Sequence, residues 1–94
     1  MDAKIKRKWV DALTSGMYAQ CKNGLRRGGG YCCLGVARYA IPELSKFQFD
    51  NKGYLLDEEL DVMGITDEDQ GALANLNDHG VPFDMIAGLI DEAL

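Results

Sequence analysis

The chain of 94 residues has one histidine, one tryptophan, two prolines and three cysteines. Each scarcity excludes something. A single histidine, His79, leaves little material for a triad or a histidine-rich metal centre. Three cysteines is an odd number, and Cys32 and Cys33 are adjacent, which argues against a disulfide framework and for reduced thiols. A zinc site is not expected either, because adjacent cysteines rarely stand in for a CxxC pair. No apolar run approaches the ~20 residues of a membrane helix, so no span is expected. MDAKIKRKW carries basic residues with no apolar stretch behind them, so no secretory signal is expected.

The largest absence is one of charge. Residues 57–94 contain no Lys or Arg against eleven acids, a net of −11. Residues 1–56 hold ten Lys and Arg against four acids, a net of +6. Two readings follow: the halves attract each other within one fold, or the acidic half is a face that competes for a basic surface on another protein. On the second reading Asp57, Glu58, Glu59, Asp61, Asp67, Glu68 and Asp69 are the interaction residues.

Length and composition fit a single small globular domain over 1–94. Ile5, Trp9, Ala12 and Leu13 fall on one stripe of a helix over 4–15 that Gly16 ends. Tyr18, Gln20 and Cys21 suit a short extended piece before the Asn23-Gly24 turn signal. A second helix fits 32–40, ahead of Pro42. Phe47-Gln48-Phe49 and Tyr54-Leu55-Leu56, joined by Asp50-Asn51-Lys52-Gly53, read as a β-hairpin over about 47–56. A short helix over 57–63 is closed by Gly64. Thr66 with Asp69 forms a capping box that opens a helix to about Asn77, with Leu73 and Leu76 inward. Phe83, Ile86, Ala87, Ile90 and Leu94 make the buried stripe of the last helix. The expected fold is α+β, mainly helical: about five short helices and one small hairpin.

The candidate site is Leu25–Ala40, LRRGGGYCCLGVARYA. Glycines feeding a helix start expose N–H groups that attract anions. Arg26 and Arg27 beside Gly28, Gly29 and Gly30 suit a phosphate or carboxylate, with Tyr31, Tyr18 or Trp9 to stack a base. The pattern lacks GxxxxGK[ST] and a GxGxxG between strand and helix, so a plain surface loop is the competing reading. Cys32 at the helix start would carry a lowered pKa if it were a nucleophile; a buried, inert thiol is the alternative. Lys4, Lys6, Arg7 and Lys8 are too few to predict direct nucleic-acid binding.

Lys8-Trp9-Val10, Ala12-Leu13, Ser15-Gly16, Tyr31-Cys32-Cys33-Leu34-Gly35-Val36, Leu76-Asn77-Asp78, Gly80, Phe83, Ile86-Ala87 and Ile90 stand in this order. The chain thereby resembles a widespread set of small bacteriophage and prophage proteins with KWVxALxSG, [FY]CCLGV and LNDxGxxFxxIAxxI motifs. It departs from them at Arg38, where many have a further cysteine, which weakens any cysteine-based metal or redox site. The resemblance implies a phage origin and the bacterial host cytoplasm, but no activity. The expectation is a non-enzymatic protein without a cofactor that binds and inhibits a host protein, one of anti-phage defence included. A sponge for a nucleotide or other small anion at the Arg-Arg-Gly-Gly-Gly loop, and a structural or regulatory phage component, are the alternatives. Homo-oligomerisation stays open.

Overall fold

Residues 1–94 are described by a computed structural model. Asp2 caps the first helix, α1 (Ala3–Thr14), its carboxylate accepting from the Ile5 amide at 2.9 Å. Ile5, Trp9 and Leu13 point inward, as their spacing requires. A looped segment leads to strands β1 (Arg26–Arg27) and β2 (Gly30–Tyr31), which pair antiparallel. Helix α2 (Cys33–Ala40) follows, then a 3₁₀ helix (Pro42–Phe47), α3 (Asp57–Met63), α4 (Asp67–Asp78) and α5 (Phe83–Ala93). The α+β, mainly helical class is thus the observed one, with five α-helices where five were expected and the 3₁₀ helix in addition.

Helix α2 is the centre. Its residues Cys33 to Arg38 are all buried, packed by α1 on one side and by α4 and the 3₁₀ helix on others, while α5 covers α1. Trp9 has no exposed surface, and its indole N–H donates to the Cys33 carbonyl at 2.9 Å. Gly35 is fixed by close approach: a Cβ there would lie 1.9 Å from the Leu25 carbonyl oxygen. Twenty-one buried apolar residues form one contiguous core.

The hairpin is not where the aromatic alternation put it. It spans 26–31, and Gly28 and Gly29, with φ of 56° and 81°, make its two-residue turn. Positive φ at both central positions is the geometry that matches strand twist, and glycine reaches it without strain. The glycines therefore form a hairpin turn rather than a loop entering a helix. At 47–56 there is no strand. Pro42 starts the 3₁₀ helix that ends on Phe47, and Phe49 is 91% exposed. Side chains take the backbone groups a strand partner would have used. Leu55 N–H donates to Gln70 Oε1 at 2.6 Å, Tyr39 OH to the Gln48 carbonyl at 3.2 Å, and Arg38 Nη1 to the Asp50 carbonyl at 3.3 Å.

The caps follow the sequence reading. Thr66 and Asp69 exchange backbone–side-chain hydrogen bonds at 3.0 Å, and Gly64 closes α3 in the left-handed region. Leu76 is only half-buried. Asn77, one residue on, is fully buried instead. No helix is long and apolar enough to cross a membrane.

Candidate functional site

A polar cleft of about 500 Å³ opens between three pieces of chain: the Asn23–Arg27 approach to the hairpin, the C-terminal end of α2, and residues 50–53. Its volume lies within the range of small-molecule sites, ~300–1,000 Å³.

Arg38 lies at the base, with 1% of its side chain exposed. Its Nε donates to Glu59 Oε2 at 2.9 Å and Nη2 to Glu59 Oε1. Nη1 lies 3.4 Å from Asp50 Oδ2. Burial disfavours the guanidinium's charge, but the hydrogen bonds and charges of Glu59 and Asp50 outweigh it and hold Arg38 protonated. Glu59 also accepts from the Leu56 amide at 2.9 Å. The buried group thus ties α2, α3 and the 50–53 wall together.

Arg26, Arg27 and Lys52 line the cleft, are exposed and take part in no ion pair. The Arg26 guanidinium sits 5.4 Å from the Tyr31 ring centroid and 5.3 Å from that of Tyr39. Tyr31 in turn meets Tyr18 and Tyr39 edge-on, at 5.2 and 5.4 Å between centroids. Three tyrosines therefore support Arg26 through cation–π contact and packing. The lining holds no Ser, Thr, Cys or His, and its one carboxylate, Asp50, is engaged by Arg38.

The residues expected at a ligand site are divided by the fold. Arg26 and Arg27 reach the cleft. Tyr31 contacts the Arg26 guanidinium, and Tyr18 packs edge-on against Tyr31. Gly28 and Gly29 form the hairpin tip away from the lining, and Gly30 is buried against Cys21. Trp9 is buried beneath α2 and presents no face to a base. Nor is the start of α2 an anion site. The Cys33 amide donates to Asn77 Oδ1 at 3.1 Å, and the Gly35 amide to Cys32 Sγ at 3.4 Å. Lys52, Asn51 and Tyr39 were missed. Lys52 belongs to the Asp50-Asn51-Lys52-Gly53 stretch that reads as a hairpin turn, and only packing brings it to the cleft that Arg26 and Arg27 line.

Burial pushes the Cys32 thiol up and the Cys33 thiol far up, the reverse of an activated nucleophile. All three cysteines are free, and no three His, Cys, Asp or Glu side chains group as metal ligands.

On the acidic half, Asp57, Glu58, Asp61, Asp67 and Glu68 are exposed and Asp69 is half-buried. Glu59 is not on that face: it has 0% exposure because Arg38 needs a counter-charge in the core. Of the four ion pairs, only Arg38–Glu59 joins the basic half to the acidic one. Ten of the eleven acids from Asp57 onward therefore lack a cationic partner.

Residues 1–45 match the model of a domain of unknown function (DUF8296). The matched stretch carries α1, the hairpin, α2 and the start of the 3₁₀ helix, and leaves out Lys52 and the acidic helices. No curated protein and no solved structure matches the chain.

Proposed function

We propose that the chain is a phage-encoded accessory protein of the host cytoplasm that sequesters a small phosphate-bearing anion of nucleotide size in the Arg26–Arg27–Lys52 cleft. One observation carries this reading: in a protein of net charge −5, three cations without an ion-pair partner line one cleft. Arg26 and Arg27 supply fork-shaped donors that match phosphate oxygens, and Lys52 supplies a point charge from the opposite wall. The lining has no Ser, Thr, Cys or His, and its one carboxylate is engaged by Arg38, which favours binding over turnover.

Isothermal titration with nucleoside mono-, di- and triphosphates and with inorganic phosphate tests it. At ~1.5 kcal/mol per charge-assisted contact, the Arg26→Ala, Arg27→Ala double variant should bind ~100-fold more weakly. Unchanged affinity in the double variant refutes the cleft.

A second reading rests on the ten acids without cationic partners: stoichiometric inhibition of a host protein that presents a basic surface. Its test is the triple variant Asp57→Asn, Glu58→Gln, Asp61→Asn, with Glu59 left in place because it holds the core. Binding to the basic partner should weaken in that variant and with rising salt. If neither changes it, the acidic face is only solvated.

A further inference from the structure

Helices α4 and α5 leave a second, apolar depression between them, lined by Ala72, Leu73, Leu89, Ile90, Ala93 and Leu94, with Asp69 its one polar lining residue. Its volume is about 140 Å³. At ~30 Å³ per water that is the space of one large apolar side chain. The apolar surface continues beyond it. Met85, one turn before Leu89, is 62% exposed, and Leu89 is 43% exposed. Two exposed large hydrophobics in one helical row beside an apolar groove make a contiguous patch, unlike a lone surface leucine.

The charge around the patch identifies its occupant. Glu68 stands one turn before Ala72, and Glu92 one turn past Leu89; both are exposed and unpaired. Neither helix has a basic residue in its last turn. The C-terminal end of α5 adds the negative pole of its dipole. A second copy of the chain docked here face to face would set acid against acid. Its own basic amphipathic helix, α1, has its apolar stripe already buried.

We infer that the α4–α5 groove docks a basic amphipathic helix of another protein, one apolar side chain seated between Leu73 and Leu89 and flanking Lys or Arg facing Asp69, Glu68 and Glu92. The helix would be read at i, i+3, i+4 spacing, as in other helix-in-groove complexes. This rests on the second reading above and gives that acidic surface an apolar anchor, which charge alone lacks.

The test uses the full chain and three labelled peptides of ~18 residues, followed by fluorescence anisotropy. One has Leu at i, i+3, i+4, i+7 with Lys elsewhere. One has the same composition with shuffled spacing, and one carries Glu in place of Lys. The first should bind at least ~10-fold more tightly than the other two, and Leu89→Glu or Ala72→Glu should each remove that advantage. Both substitutions are at exposed positions, and circular dichroism checks that each variant is folded.

Equal binding of the periodic and shuffled peptides, unaffected by Leu89→Glu, overturns the groove and leaves the acidic-surface reading standing. Failure of both Lys peptides to bind overturns both. A concentration-dependent dimer in sedimentation that Leu89→Glu abolishes makes a second copy the occupant and overturns the basic-helix assignment.

Discussion

Arg38 is the residue on which fold and cleft depend together. Fully enclosed, it is held by Glu59 and Asp50, and Asp50 belongs to the cleft wall. Removing one partner of a buried pair leaves an uncompensated charge, which costs ~3–5 kcal/mol. Glu59→Gln should therefore lower Tm by more than ~10 °C in a chain of this length. Arg38→Met with Glu59→Leu should recover most of that stability, because the replacement is apolar and of similar volume. It should still lose ligand affinity, since Asp50, freed from Arg38, would present an uncompensated carboxylate to the cleft and compete with the anion for its cations. Thermal denaturation and titration of the same variants separate the two effects. A Glu59→Gln protein as stable as the parent would show that the pair is dispensable.

The thiols give a second prediction at this scale. Burial raises Cys32 and Cys33, so the folded chain keeps protons that the unfolded chain releases above the ordinary thiol value of 9.0. Their contribution to stability is intact below that pH and declines as pH rises past it. In neutral buffer one thiol, Cys21, should react with a thiol reagent in the folded protein and all three in denaturant. Rapid labelling of two or more in the native state contradicts the burial.

Among the elements, the five α-helices were legible because their apolar spacing and caps are local signals. Thr66, Asp69 and Gly64 do in the structure what their positions promised. The hairpin was not. Phe47, Phe49 and Tyr54 alternate as strand residues do, but their segment is held by side chains of Arg38, Tyr39 and Gln70, which are remote in sequence. Three consecutive glycines read equally well as a loop or a turn. What decided the matter was the pairing of Arg26 with Tyr31 and Arg27 with Gly30 across them. The site divides the same way. Arg26 and Arg27 were visible as charges beside glycine, whereas Lys52 and Tyr39 arrive through tertiary packing.

The Gly28-Gly29 turn can be stabilised. Asn tolerates positive φ and, followed by Gly, favours the same two-residue turn. Gly28→Asn should raise stability by about 0.5 kcal/mol in urea denaturation by reducing the freedom of the unfolded chain. A loss of stability would mean that residue 28 is not in the turn. Gly35→Ala should do the opposite, since its Cβ meets the Leu25 carbonyl and α2 must move off the strand that carries Arg26.

Over the whole molecule the two charge halves do not neutralise each other. One buried pair joins them, and eight of the remaining ten acids from Asp57 onward are exposed, with Asp69 and Asp78 half-buried. Salt should therefore stabilise the fold by screening their mutual repulsion, with Tm rising between low salt and ~0.5 M. A falling Tm would indicate internal pairing that the four ion pairs do not account for.

The most direct measurement of the central claim is native mass spectrometry of the protein taken gently from bacterial lysate. A nucleotide-sized mass increment is expected on the parent chain, lost in Arg26→Ala, Arg27→Ala and also lost or diminished in Lys52→Ala. Lys52 is the decisive position, since it meets the arginines only in the folded cleft. A bare parent chain, or an increment that persists in all three substitutions, would contradict it.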